Sequence, residues 1–282
     1  MNLILDRSAF HGSKFQYLEK ELTRLTASKK VTVHITPMLL EETMGLWLRN
    51  GNSQEFRRHV DFIFRITDVP LFDDNFSIFH KELKLFPNIG KYWFMDKHQE
   101  ARIRNHVSLI TQGKMPRRKD IQPALDGIAK NREKVRNMRS LGIRMRADIS
   151  GKLKALGAKY SQITETWDML RDKNLEKFGS DLLKKNRFHT PLFRWLALKR
   201  WLKHAPYFRD WACGILYMQN YAMRYPNLKI DEHAQSDIQQ LLYLRQVDAI
   251  VSEEEAFMKQ AWEDLYKSQG KLYLKIAQLS SF

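Results

Sequence analysis

The chain has 282 residues, 43% of them hydrophobic, which suffices for one large or two ordinary domains with a buried core and excludes a largely disordered chain. A single cysteine, Cys213, excludes an intrachain disulfide and a cysteine-rich zinc site, and points to a reducing, cytoplasmic setting. The net charge of +16 is unevenly placed: residues 97–160 hold 17 Lys and Arg against 5 Asp and Glu, residues 1–96 hold 13 against 12, and residues 205–282 hold 8 against 10.

The first ten residues lack a basic start and a long apolar region, so no signal peptide is expected, and no apolar run reaches the length of a membrane span. Residues 2–6 read as a short strand ending in Asp6. An amphipathic helix over 14–26 follows, with Phe15, Leu18, Leu22 and Leu25 at helical spacing. Residues 31–35 are rich in β-branched side chains and predict a second strand. Thr36-Pro37 then starts a helix, Thr as cap and Pro at the first position. Residues 54–65 look helical; residues 68–87 read as mixed, with Pro70, Asp73-Asp-Asn75 and Pro87 as turn signals.

Residues 113–119 form a basic loop, and the spacing from 120 to 183 is helical, with Gly142, Gly151 and Gly157 as candidate breaks. A helix over 193–203 carries Trp195 and Trp201, read as core residues in preference to base-stacking platforms. Another helix spans 207–225. After Pro226 a helix beginning at Asp231 leads to the short apolar run Ala249 to Val251, a helix over 253–267 and a closing strand over 271–276. Alternation of strands and helices at both ends predicts one α/β unit with a parallel sheet, made from residues 1–52 and 205–282 and interrupted by a mostly α-helical basic insertion, 53–204.

Four acids occupy chemically suggestive places. Asp6 ends the first strand; Glu42, with Glu41 beside it, lies on the helix after the second; Asp237 lies on the helix before the last apolar strand, with Asp248 as an alternative; and Glu254 follows that strand, flanked by Glu253 and Glu255. In order they stand as Leu3-Ile-Leu-Asp6, Ile35-Thr-Pro-Met-Leu-Leu-Glu-Glu42, Asp237, and Ile250-Val-Ser-Glu-Glu-Glu-Ala-Phe257. This order resembles the PIN-like nuclease family, in which an Asp ends the first strand, a Glu sits in the helix after the second, a further Asp lies on a later helix, and a final Asp follows a Val-Thr-x-Asp-x-x-Phe strand. The last position is Glu here, and the resemblance covers about 50 residues at either end. It implies a PIN-like sheet and metal-dependent hydrolysis of phosphodiesters, RNA favoured over DNA, with Asp6, Glu42, Asp237 and Glu254 as catalytic metal ligands for Mg²⁺ or Mn²⁺. Carboxylates and waters suit such hard cations, which neutralise phosphate charge and activate water.

The basic middle complements an acidic pocket. Lys114, Arg117, Arg118, Lys119, Arg132, Arg136, Arg139, Arg144 and Arg146 are the candidate phosphate contacts. An acidic protein partner would satisfy the same charge, and self-association stays open; insertion into a membrane is not expected. The alternatives to an enzyme are a PIN-like nucleic-acid-binding or scaffold protein without turnover, and a toxin or defence effector controlled by a partner.

Overall fold

The computed structural model describes residues 1–50, 53–85, 93–114, 117–155, 167–185, 205–224 and 233–282. Four short strands, β1 (Asn2–Leu5), β2 (Thr32–His34), β3 (Ala249–Val251) and β4 (Leu272–Leu274), form one parallel sheet in the order β2-β1-β3-β4. Leu3 pairs with Val33 on one side and Ala249 on the other, and Ile250 pairs with Tyr273. The α/β expectation is met: a parallel sheet flanked by helices.

Side chains alternate across a strand, so each short strand feeds two cores. Leu3, Leu5, Val33, Ala249 and Val251 join one core with Phe15, Leu18 and Leu22 of α1 (Gly12–Ala27) and with Phe62 and Ile63 of α3 (Ser53–Arg65). Ile4 and Ile250 face the other, with Tyr207, Phe208 and Trp211 of α8 (Pro206–Arg224), Ile238 and Leu241 of α9 (Ala234–Leu242) and Phe257 of α10 (Phe257–Leu265). A sheet covered on both faces explains why its strands are nearly all apolar.

Between α1 and α8 lie α2 (Pro37–Asn50), α3, α4 (Asn75–Leu85), α5 (Lys97–Thr111), α6 (Arg118–Ala155) and α7 (Trp167–Lys185). Residues 53–95 enter both cores: Ile66 and Leu71 join the first, and Phe72, Ile78, Phe79 and Trp93 the second. Helices α6 and α7 run against α8.

The differences from expectation have local causes. The turn signals at 73–75 start a helix: Asp74 Oδ1 accepts from Phe76 N (2.9 Å) and Ser77 N (3.0 Å) at the head of α4. Helix α5 was not anticipated, and Asp96 caps it through His98 N (2.9 Å) and Gln99 N (3.0 Å). Helix α6 runs unbroken through Gly142 and Gly151; an interior glycine costs only about 1 kcal/mol relative to alanine. Gly157, the helix expected over 193–203 with its two tryptophans, and Asp231 lie outside the described residues. The last helix starts at Phe257, not at 253. Among the described residues no helix is long and apolar enough to cross a membrane.

Two contacts hold α8 and α9 in place. Glu82 of α4 is buried at the head of α8 and accepts from Tyr207 N (2.9 Å) and Phe208 N (2.7 Å). Burial pushes its carboxyl up to about 7, against the pull of those two donors. Gly214 of α8 approaches Ile238 of α9 so closely that a β-carbon would overlap the isoleucine side chain.

Candidate functional site at the carboxyl edge of β1 and β3

The strand order reverses direction between β1 and β3, one connection leading from β1 outward to β2 and the later chain returning to β1's other side. Open α/β sheets bind ligands beyond the carboxyl ends of strands at such a switch point. Asp6 and Ser252 stand there, each still tied to the ladder: Asp6 N donates to Val251 O (2.9 Å), and Ser252 N to Leu274 O (3.0 Å).

Asp6 is buried, at 8% exposure, and caps the 3-10 turn Arg7–Phe10. Its Oδ2 accepts from Ser8 N (3.1 Å), from Ser8 Oγ at short range, and from Ser252 Oγ (2.8 Å). Among the described residues none donates to Oδ1. Ser8 Oγ in turn accepts from Glu253 N (2.8 Å), and Ser252 Oγ from Glu254 N (3.1 Å). The Tyr273 hydroxyl lies 2.7 Å from the Glu254 carbonyl and 2.9 Å from Ser252 Oγ. Burial pushes the Tyr273 phenol well up; the bond to Ser252 opposes this, and the negative charges of Asp6, Glu254 and Asp237 add to it.

These bonds explain why the three glutamates precede the helix. Their backbone is held by tertiary partners: Glu253 N by Ser8, Glu254 N by Ser252, and the Glu254 carbonyl by Tyr273 and by Lys275 Nζ (3.0 Å). Two of the carboxylates have lysine partners. Glu253 accepts from Lys14 Nζ and Ile276 N, at 2.7 and 2.9 Å. Burial works against its ionisation, yet these donors hold it below the usual range. Glu255, exposed, pairs with Lys259 (2.7 Å) and Lys275 (2.6 Å), whose hydrogen bonds lower it to about 2.

Asp237 is buried on α9, one turn before Gln240. Gln240 Nε2 donates to Leu5 O (2.7 Å), and its Oε1 accepts from Thr36 Oγ1 (2.7 Å). Thr36 also caps α2, accepting from Leu39 N (3.3 Å). One glutamine thus ties the helix of Asp237 to the end of β1 and to the head of the helix of Glu42. Glu42 is half-buried there, next to Glu41, whose carboxyl is raised by burial and by the charge of Asp74. Asp248 sits at the opposite, amino edge of the sheet, where its Oδ2 accepts from Asn2 N (2.7 Å). It lies at the other end of the strands from Asp6.

An open cleft of about 590 Å³ is lined by Ser8, His11, Lys14 and residues 253–256 among others, so of the four expected acids Glu254 lines it. Burial, and then the charge of Arg7, lowers His11. Among the described residues no three His, Cys, Asp or Glu converge closely enough to hold an ion by themselves.

Of the basic candidates, Lys114, Arg117, Lys119, Arg136 and Arg144 are exposed, the last three on α6. The side chains of Arg118, Arg132, Arg139 and Arg146 lie outside the described residues. No family model, no curated protein and no solved structure matches the chain.

Ser8, Lys14, Gln240, Tyr273 and Lys275 complete the site, and none was expected. Asp6-x-Ser8 is a capping spacing visible in the sequence; nothing local marks the others.

Proposed function

We propose that the sheet is the core of a PIN-like, metal-dependent endonuclease acting on nucleic acid, RNA favoured, and that the basic helical segment is an insertion that grips the polymer. The observation that carries this reading is the position of Asp6 at the β1/β3 switch point, where Ser252 links its carboxylate to the backbone N–H of Glu254.

The donor chemistry fits Mg²⁺ or Mn²⁺. The acids offer oxygen only, and Mg²⁺ keeps several waters while taking one or two carboxylates. Asp6, with three donors on one oxygen and none from the described residues on the other, would hold the ion directly. Asp237, Glu254 and Glu42 would act through its waters. Glu253 and Glu255, already paired with lysines, are the weaker choices for the last ligand. A bound divalent ion supplies charge neutralisation at the phosphate and an activated water. The chain itself fixes the carboxylates and, through α6, attracts the polyanion. A cytoplasmic setting belongs to the same proposal, and control by a protein partner to the alternative of a toxin or defence effector.

The lack of three converging ligands among the described residues favours a second reading, a nucleic-acid-binding protein without turnover. Cleavage of end-labelled single-stranded RNA, single-stranded DNA and structured RNA, with Mg²⁺, Mn²⁺ or EDTA, separates the two. Metal-dependent cutting that is lost in Asp6→Asn and Glu254→Gln is expected. Salt-sensitive binding without cutting under any metal would support the second reading instead.

A further inference from the structure

We infer that the outward face of α5 is a contact surface for the phosphate backbone of a nucleic acid. His98, Arg102 and His106 form its stripe, Lys97 and Lys114 lie at its two ends, and Arg57 of α3 stands beside the second end. The inference rests on the polynucleotide-binding part of the reading above, involves no metal ion, and extends the basic candidates back into α5.

Helix α5 has no buried residue and rests on the body by one side. Arg104 holds that side: its Nε donates to Glu100 (2.8 Å), its Nη2 to Val69 O (3.2 Å), and its guanidinium lies 5.7 Å from the centre of the Phe64 ring. Ile103 packs beside it against the first core. Residues four apart share a helix face, so His98, Arg102 and His106 line up on the side away from Arg104, about 5–6 Å from one to the next. All three are exposed, as are Lys97 and Lys114. The second end is fixed as well. Gly113, at φ 87°, turns the chain so that its N–H donates to Ile110 O (2.9 Å) and that of Lys114 to Leu109 O (2.9 Å). Arg57 comes up to the same turn, its Nη1 3.3 Å from where a β-carbon on Gly113 would stand.

The charges decide the partner. Asp96 and Glu100 are the acids of this stretch, and both are engaged: Asp96 caps the helix through two backbone N–H groups, and Glu100 binds Arg104. The stripe itself carries donors and positive charge and no carboxylate. The described outward side of α6 alternates in sign instead, with Asp126, Lys130, Glu133, Arg136 and Asp148 all exposed along it. Among the described residues of α5 no large hydrophobic side chain is exposed, so the face lacks the anchors that a protein partner or a membrane would need. It has no Phe, Tyr or Trp on which a base could stack, so its contacts are to phosphate and independent of sequence.

The test is binding of a short fluorescein-labelled single-stranded RNA of mixed sequence to the full chain, followed by fluorescence anisotropy over a series of salt concentrations in EDTA, together with the melting temperature of each variant. Lys97→Gln, Arg102→Gln and Lys114→Gln combined should weaken binding and lower the slope of log affinity against log salt by about 2, at about 0.7 for each lost single-strand phosphate contact. Arg104→Gln removes a charge from the inner side of the same helix, and should lower the melting temperature while leaving the slope unchanged. A wild-type slope in the triple variant would overturn the role of α5; the polynucleotide reading would then stand on α6 if the Lys119, Arg136 and Arg144 variant still lowers it. Equal losses of slope in Arg104→Gln and in Arg102→Gln alone would also overturn it, because net charge and not this face would then set the binding. No salt-sensitive RNA binding by the wild type would overturn both. Should the triple variant fail to fold, Arg102→Gln alone decides, with an expected fall in slope of about 0.7.

Discussion

Replacing Glu82 with glutamine should flatten one component of the pH dependence of stability. Glu82 is buried, and its carboxyl is raised from 4.5 to about 7, chiefly by burial. Between these values the native chain keeps a proton that the unfolded chain has released. Stability from this group is therefore greatest below pH 4.5 and falls as pH rises to 7, by about 1.4 kcal/mol per pH unit and roughly 3 kcal/mol in all. Above pH 7 both states are ionised and the contribution is constant. Glutamine never ionises. It retains one acceptor for the two backbone donors of Tyr207 and Phe208, so the variant should be less stable than wild type in acid by about 1–3 kcal/mol. That gap should close, or reverse, by pH 8. Urea denaturation of both chains at intervals from pH 4.5 to 8 measures it, since contributions from other groups cancel in the difference. A gap that does not change with pH would refute the reasoning and place the folded Glu82 value near that of an exposed carboxylate.

His59, packed edge-on against Phe10 and Phe15, contributes with the opposite sign: burial lowers it to about 4, so its share of stability is present above pH 6.5 and is lost as pH falls to 4. His59→Phe should reduce acid destabilisation over that interval by roughly 3 kcal/mol, read from the same urea titrations. Gly214→Ala should cost about 1–3 kcal/mol through overlap with Ile238, and Gly214→Ala with Ile238→Ala should cost less than the two changes summed. Changing Lys119, Arg136 and Arg144 together to glutamine should weaken RNA binding and lower the slope of log affinity against log salt by about 2, with cleavage chemistry at saturating RNA retained. An unchanged slope would remove α6 from the interface.

The sequence carried the sheet well because its strands are short apolar runs bounded by polar turns, and Asp6 and Ser252 mark two of the strand ends. Its hydrophobic spacing also located α1, α3 and α8 to within about two residues. Asp74 and Asp96 were harder: an aspartate in a polar stretch caps a helix or makes a turn with equal ease, and the buried faces that decide the matter lie far away in the chain. Residues 253–255 misled for a related reason. Acids after a serine suit a helix start, but Ser8, Tyr273 and Lys275 hold their backbone in an extended path first. Nothing in the sequence marked Tyr273, since its contacts come from lying opposite Ile250 in the register of β4 and beside a serine 21 positions away.

The two neighbours of β1 are made far apart in time. β1 gains β2 as a neighbour after about 30 residues of synthesis, but its other neighbour, β3, begins at residue 249. At about 5–20 residues per second, roughly 10–50 s separate the emergence of Asp6 from that of Ser252, and Tyr273 follows later still. A growing chain therefore carries helix α6 out of the ribosome while one edge of β1 still lacks its partner β3, and the backbone groups of that edge stay unpaired over the interval.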